Sequence, residues 1–369
     1  MTAGLLALTV VALSTAGPVA LAGPAAASTQ AAASKQAAAS SRAPGVTGVA
    51  FSPAGTLLAA GYSDGTIRLW DVATGRQAGS PLQAGSAVNG VAFSPDGSVL
   101  ASADADGTVR LWNPVTGRPA GSPLQAGSAV NGVAFSPDGS VLASADLGGE
   151  VRLWDVATGQ PSGSPVRSGS GVNAVAFSPD GKLASAGADG SVRLWDLVTG
   201  LVYGSVLPAG PGAAGGVNAV AFSPAGTLLA AGYGNGTIRL WNPVTGQPAG
   251  SALQAGSAVN GVAFSPDGRV LASADAGGTV RLWNPVTGRP AGSALQAGSA
   301  VNGVAFGPGG KLAGAGANGA VHLWNAVTGG PAGRGSGYWI ILAGAVLAIA
   351  LSALAALITT REIWLARQR

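Results

Sequence analysis

The stretch DGTVRLWNPVTG, Asp106–Gly117, decides the architecture, because near-copies of it recur along most of the 369-residue chain. Seven tryptophans mark the copies and follow one another at intervals of 42, 42, 41, 46, 42 and 41 residues. A constant period of about 40–45 residues indicates an array in which each copy is one supersecondary unit that packs against its neighbours. The tryptophans are Trp70, Trp112, Trp154, Trp195, Trp241, Trp283 and Trp324.

Three tight turns divide each copy into short segments. In the second copy, Ser94–Gly97 (SPDG) places proline where its fixed φ suits a turn, and Ala105–Gly107 (ADG) carries the Asp-Gly hairpin signal. A third turn is Asn113–Gly117, where the Asn side chain can bond the backbone that follows. The segments VNGVAF, SVLASA and TVRLW lie between the turns, and GSPLQ follows them. This pattern predicts four strands per copy.

Both faces of these strands are apolar, and they differ in size. Val91 and Phe93 share one face of the first strand, whereas Gly90 and Ala92 share the other. A single sheet cannot cover both of its own faces, but a ring of sheets stacked face to face can. We therefore expect an all-β fold, a seven-bladed β-propeller of four-stranded antiparallel blades, over residues 45–333.

The repeated motifs resemble those of the WD-repeat family of β-propellers, in a bacterial-type, membrane-anchored form. FSPDG, LAS, DGTVRLW and a Trp-Asp or Trp-Asn pair recur in the same order from Gly45 to about Gly333. The resemblance implies a seven-bladed ring that serves as a non-catalytic interaction scaffold. The turn Asp of the family stands here as Asp64, Asp106 and Asp189.

The chain departs from the family pattern in its histidines. The Gly-His dipeptide of the family is replaced by Gly-Ser, as at Gly85-Ser86. The family ties that His, the turn Asp, a hydroxyl and the Trp into a buried hydrogen-bond network. Because the His is missing, we expect packing and backbone ladders to hold the blades instead. Blade seven also lacks the PLQ segment, so we expect it to be three-stranded or loosely closed.

The copies fall into three kinds. Blades one and five share SPAGTLLAAGY, and blades two, three and six share GVAFSPDG and LASAD. Blades four and seven share GKLA and are one residue shorter after the first turn. The order a-b-b-c, a-b-c indicates that a smaller unit was duplicated.

The C-terminal region predicts a transmembrane helix over residues 338–360, because Ile340–Ile358 carries no charge and is long enough to span hydrocarbon. A basic cytoplasmic tail, residues 361–369, follows it. Tyr338, Trp339 and Trp364 are expected to anchor the helix at the membrane interfaces. Small residues four apart could mediate a helix–helix dimer, although Ala-rich spans also show such stripes by chance. They are Gly344, Ala348, Ser352 and Ala356.

The N-terminal region resembles an export signal. An apolar run, Leu5–Leu13, precedes small residues, so residues 1–27 are a signal peptide or an N-terminal anchor. Residues 28–44 form an Ala/Ser-rich tether. Arg361, Arg367 and Arg369 after the span favour a cytoplasmic C-terminus. We therefore expect a cell-membrane protein with an extracytoplasmic propeller.

Charge and composition exclude several functions. The net charge is +4, but the repeats contain 13 Lys and Arg against 14 Asp and Glu, so no basic surface for nucleic acid is expected. The chain has no cysteine. Its one histidine, His322, takes the place of an arginine in the other blades, with no second His for a metal site. Asp104, Asp146 and Asp275 lie beside the ADG-type turns and could join a cation site, but such a site needs converging oxygens that the sequence does not place. We predict no enzyme activity, no metal and no cofactor.

A polar ring is the candidate binding surface. One asparagine per copy, with Thr47 in blade one, lies just inside the first strand, and it either binds a ligand or satisfies local backbone. We expect a scaffold for a protein or peptide partner. The alternatives are an envelope carbohydrate or small-ligand binder, and a cytoplasm-facing regulatory propeller of a signalling system. The asparagines are Asn89, Asn131, Asn173, Asn218, Asn260 and Asn302.

Overall fold

The computed structural model describes residues 43–197, 206–207 and 215–326, and the backbone of residues 340–342. Several predicted regions lie outside the described residues. They are the signal peptide or anchor, nearly all of the tether, the basic tail, and most of the span with its interface anchors and small-residue stripe. In the described part of the chain, no helix is long and apolar enough to cross a membrane.

The chain folds into seven antiparallel sheets, each made of strands that are consecutive in sequence. Blade one contains β1 (Val46–Phe51), β2 (Leu57–Tyr62), β3 (Thr66–Asp71) and β4 (Leu82–Gln83); blade two β5 (Val88–Phe93), β6 (Leu100–Asp104), β7 (Thr108–Trp112) and β8 (Leu124–Gln125); blade three β9 (Val130–Phe135), β10 (Val141–Asp146), β11 (Glu150–Asp155) and β12 (Val166–Arg167).

The remaining blades follow the same plan. Blade four contains β13 (Val172–Phe177), β14 (Leu183–Gly187) and β15 (Val192–Trp195). Blade five contains β16 (Val217–Phe222), β17 (Leu229–Tyr233), β18 (Thr237–Trp241) and β19 (Leu253–Gln254). Blade six contains β20 (Val259–Phe264), β21 (Leu271–Asp275), β22 (Thr279–Trp283) and β23 (Leu295–Gln296). Blade seven contains β24 (Val301–Phe306), a 3₁₀ turn (Pro308–Gly310), β25 (Lys311–Gly316), β26 (Ala320–Asn325) and β27 (Ile340–Leu342).

The predicted seven-bladed propeller is confirmed, and its first strands close the ring. Each first strand contacts the first strand of the next blade, and β24 of blade seven contacts β1 of blade one. Six of the sheets have four strands, as predicted. Among the described residues, blade four has three strands and a single bridge between Val192 and Leu207.

Blade seven corrects two expectations. Its outer strand is β27, whose Ile340 pairs with His322 and whose Leu342 pairs with Ala320. Blade seven is therefore four-stranded, and the expectation of three strands was wrong. Ile340–Leu342 was assigned to the start of the predicted span, yet these three residues extend as a strand along β26. Their apolar side-chain types suit either structure, and pairing with a strand about twenty residues earlier cannot be read from a local pattern.

The core lies between blades, as the unequal faces predicted. Ala59, Ile67 and Leu69 of blade one pack against Leu100 and Trp112 of blade two. The face of blade one that carries Ile67 and Leu69 thus packs against the face of blade two that carries Trp112. The same arrangement recurs around the ring, and all seven repeat tryptophans are 7% exposed or less. Burying these large side chains supplies the main stabilisation of each junction.

Candidate functional site

The strand order defines two rims of the ring. One, here called the ADG rim, combines the loop before each first strand with the turn between the second and third strands. The two are linked in blade two, where the Ala105 amide donates to the Ala87 carbonyl at 2.9 Å. The opposite side, here called the SPDG rim, combines the turn between the first and second strands with the turn that follows the third strand.

The predicted polar ring lies at β-bulges on the ADG rim. In every blade the pairing of the first and second strands shifts register at this residue; in blade two the shift falls between Val88 and Gly90, at Asn89. A bulge leaves one residue out of the ladder and re-aims its side chain. Here the bulge directs the Asn89 side chain to the next blade, where Nδ2 donates to the Val130 carbonyl at 2.8 Å.

The same bond links consecutive blades around the ring. The six asparagines donate to the first-strand carbonyl of the following blade at 2.7–3.1 Å, and Asn302 closes the circle on Val46. In blade one, Thr47 Oγ1 donates to the Val88 carbonyl. These side chains therefore fasten one blade to the next rather than satisfying only local backbone. That they also bind a ligand stays a prediction.

Small residues bring the first strands close together beside this ring. A methyl group added at Gly90 would lie 3.4 Å from the Asn131 backbone carbonyl, and one added at Gly261 would lie 2.9 Å from the Cα of Gly303. The asparagines are half-buried. Within the described residues, their Oδ1 atoms accept no hydrogen bond, so these oxygens keep their capacity to accept one.

A second polar arrangement lies inside the blade junctions. Ser102 Oγ accepts a hydrogen bond from Trp112 Nε1 at 3.2 Å and donates to Asp104 Oδ2 at 3.3 Å. Arg110 Nη1 binds the same carboxylate oxygen at 2.6 Å. The Trp–Ser bond recurs at 2.8–2.9 Å in blades three, four and six. The expectation that packing and backbone ladders alone hold the blades was therefore wrong in four blades, because the hydrogen bond between the Trp and the Ser hydroxyl forms without the His.

The turn residue controls the buried acid next to it. In blade two Asp106 caps the turn by accepting from the Thr108 amide at 3.1 Å, and Asp104 Oδ1 is left buried without a partner. Burial raises the pKa of Asp104 to about 6, although Arg110 opposes the shift. In blade six glycine stands at the turn position, and Asp275 takes over the cap by accepting from the Thr279 amide at 2.9 Å.

These acids pair with arginine rather than converging on a cation. Arg281 binds Asp275 at 2.5 Å, and Arg193 binds Asp189 at 2.7 Å. Among the residues that the structure describes, no three His, Asp or Glu side chains are placed to hold a metal ion.

His322 is a packing residue. Its ring stacks on Trp324 with centroids 5.3 Å apart and planes 9° apart. Burial lowers the pKa of His322, and its Nε2 is buried without a hydrogen-bond partner. Burial therefore favours the neutral form of this side chain, which replaces the charged arginine of the other blades.

Clefts along the outer edge were missed by the sequence analysis. They lie between blades one and two, two and three, and five and six, with volumes of about 410, 260 and 290 Å³. Each is lined by the segment before a short fourth strand and by the turn after the third strand of the next blade. The signal in the sequence was an apolar residue in a turn: Val115 and Val286 are 87% exposed.

The repeats match a known protein family. The family described as "WD domain, G-beta repeat" matches residues 38–71, 79–113, 121–155, 163–196, 206–242 and 250–284, which together make up more than half of the chain. Each of the six segments ends one residue after a repeat tryptophan. No curated protein sequence matches the chain.

Proposed function

The chain belongs to the WD-repeat family, and we propose that it is a non-catalytic, membrane-anchored scaffold whose ADG rim binds a protein or peptide. Propellers of this family generally act as protein-interaction scaffolds. The observation that carries the proposal is the asparagine ring. Its amide nitrogens are fixed in bonds between blades, so its oxygens are held in place as acceptors around a rigid circle.

Such a ring suits a peptide better than a charged ligand. Acceptors at regular spacing match the N–H donors of a polypeptide backbone or of amide side chains. Four of the six third-strand arginines pair with acids, as Arg110 does with Asp104 and Asp106. Because the contact groups are already ordered, binding costs little conformational entropy on this side.

Site-specific photo-crosslinking tests the proposal. A photoreactive residue at Ala105 stands on the ADG rim, and one at Val115 stands on the SPDG rim as the matched control. In intact cells that make the full chain, we expect a discrete protein adduct from Ala105 and none of the same size from Val115. A glycan adduct would instead favour the envelope carbohydrate binder. Identical adducts at both positions, or none at Ala105, would overturn the proposal.

The membrane anchor is a proposal from the sequence. The outer strand of blade seven takes Ile340–Leu342, which leaves Ala343–Thr360 for the span, still within the roughly 17–25 residues that a membrane helix needs. The arginines after residue 360 favour a cytoplasmic C-terminus, so the propeller is placed outside.

Protease shaving of intact, wall-stripped cells tests this orientation. Propeller epitopes should disappear while a tag after Arg369 survives. A propeller that is protected until the membrane is opened would face the cytoplasm, and the regulatory alternative would replace the extracytoplasmic scaffold.

A further inference from the structure

Neighbouring turns on the SPDG rim touch one another at most junctions. A methyl group added at Gly97 of blade two would lie 3.3 Å from Cδ of Pro53 in blade one. A methyl group added at Gly139 would lie at the same distance from Cδ of Pro95 at the next junction. At these junctions the turn glycine thus lies close to the turn proline of the preceding blade. The contact recurs as Gly226–Pro179, Gly268–Pro224 and Gly55–Pro308.

The junction between blades three and four lacks this contact. The turn of blade four is one residue shorter: the Ser178 amide donates to the Lys182 carbonyl, whereas the Ser136 amide in blade three donates to Val141. Within the described residues, nothing but its chain neighbours lies within 4 Å of a methyl group added at Gly181. The retracted turn leaves a cleft of about 380 Å³ between the two blades.

The inner wall of this cleft is apolar. Phe177, Val141 and Leu197 line it, and Phe177 and Leu197 also pack against the core of the junction. Leu197 follows the Trp-Asp pair at a position that is Val72 in blade one and Val156 in blade three. Its longer side chain therefore extends the apolar wall at this junction.

The mouth of the cleft carries two carboxylates. Asp138 accepts hydrogen bonds from Ser136 Oγ at 2.6 Å and from Ser140 Oγ at 2.8 Å, which hold its pKa down at about 2. Asp180 pairs with Lys182 at 2.6 Å. Among the described residues, Asp138 has no basic partner. The mouth is therefore net negative, with one ionised carboxylate free to bind a cation.

We propose that this cleft binds the guanidinium group of an arginine side chain on a protein partner. The carboxylate at the mouth matches the planar fork of arginine, and the apolar wall suits its aliphatic stem and the stacking of its flat head on Phe177. The volume lies within the roughly 300–1,000 Å³ typical of ligand pockets. The inference rests on the proposed scaffold function but uses the opposite rim.

The test uses the full chain and a small probe. N-acetyl-arginine amide is titrated while the methyl resonances of Val141 and Leu197 are followed by NMR. N-acetyl-citrulline amide, which has the same shape without the charge, is the control ligand. We expect the arginine probe to shift both methyl groups and to bind about tenfold more tightly than citrulline, as for one charge-assisted hydrogen bond. Equal binding of the two probes would overturn the proposal.

Two variants locate the site. Asp138→Asn should weaken the arginine probe about tenfold, whereas Asp96→Asn should leave it unchanged. Asp96 has the same serine partners in blade two, but its turn belongs to a closed junction. Inserting one serine between Gly181 and Lys182 lengthens the turn to that of blade three and should abolish binding without lowering Tm. Binding that survives both Asp138→Asn and the insertion would place the arginine elsewhere.

The outcomes separate this inference from the scaffold proposal. The probe titration needs no natural partner, so its failure leaves the crosslink at Ala105 as an independent test of the ADG rim. A positive titration with no crosslink at Ala105 would move the binding surface to the SPDG rim.

Discussion

Blades two and five fill the same junction position in different ways. Blade two uses Ser102 and Asp104, which connect Trp112 to Arg110 through hydrogen bonds. Blade five has alanine at the serine position and Tyr233 at the aspartate position, with the Tyr233 ring tilted at 52° and 6.5 Å from Trp241.

The side chains beside the tryptophan leave a different polar group without a hydrogen-bond partner in each of the two blades. In blade five the Tyr233 hydroxyl is buried without a partner, and burial raises its pKa. In blade two it is Asp104 Oδ1 that lacks a partner. The comparison teaches that the junction requires volume beside the tryptophan, whereas the hydrogen-bond network is one of two ways to supply it.

Replacing a repeat tryptophan should lower the free energy of unfolding more than any other change considered, and by similar amounts in blades two and five. Trp112→Ala and Trp241→Ala each remove a buried indole and should lower the free energy of unfolding by about 3–5 kcal/mol. Chemical denaturation of the full chain, followed by circular dichroism, measures this. If packing dominates, the two losses agree within about 1 kcal/mol. A much larger loss for Trp112→Ala would mean that the network, rather than volume, holds the junction.

Replacing the third-strand arginine should lower the free energy of unfolding more in blade two than in blade five. Arg110→Met leaves the Asp104 carboxylate buried without its cation and should cost about 2–3 kcal/mol. Arg239→Met removes a side chain that has no carboxylate partner among the described residues, so we expect a loss of less than about 1 kcal/mol. The double variant Asp104→Asn, Arg110→Met is the control and should recover part of the loss. Equal costs for the two single variants would contradict the comparison.

The sequence predicted what depends on local pattern. Turn chemistry predicted the strands, and the alternation of Val91 and Phe93 with Gly90 and Ala92 predicted that neighbouring blades cover both faces of each sheet. The Ser102–Trp112 bond joins residues ten apart across a hairpin, and the family pattern drew attention to the absent His rather than to this Ser.

Long-range contacts could not be predicted in the same way. The bond of Asn89 reaches a carbonyl 41 residues away, and it depends on a bulge that simple alternation does not reveal. The cleft beside Gly181 follows from a one-residue deletion, which the sequence displays but whose consequence appears only when the neighbouring turn is in place.

The pH dependence of stability should also differ between the blades. The folded pKa of Asp104 is raised to about 6, above the value of about 3.9 for an unfolded Asp. The folded state therefore holds this proton more tightly than the unfolded state. The stability that protonated Asp104 contributes is present in full below about pH 4 and is lost as the pH rises to about 6. The loss of stability is about 3 kcal/mol, since each pKa unit corresponds to about 1.4 kcal/mol.

Urea denaturation at pH 4, 5, 6 and 7 checks this prediction. Asp104→Asn should flatten the profile between pH 4 and pH 6, whereas Tyr233→Phe in blade five should leave its shape unchanged because Tyr233 does not titrate in this range. A profile that Asp104→Asn does not alter would show that Asp104 remains ionised in the folded protein.

Replacing the capping asparagine in the turn after the third strand should lower the free energy of unfolding least. The loss should be the same in blades two and five. Asn113 Oδ1 accepts from the amides of Val115 and Thr116 at 3.0 and 2.9 Å, and Asn242 accepts from the corresponding amides at 2.9 and 3.1 Å. Both turns are exposed, so each freed amide can bind water instead. Asn113→Ala and Asn242→Ala should each cost about 1 kcal/mol, the value of a lost cap.

The conservative control is Asn→Asp, because aspartate accepts from the same two amides and stands naturally at this place in blade one as Asp71. Asn113→Asp and Asn242→Asp should therefore keep the stability of the parent chain in the same denaturation experiment. If Asn113→Ala cost as much as Trp112→Ala, the turns rather than the blade junctions would limit stability. The contrast between blades two and five would then concern a secondary feature of the ring.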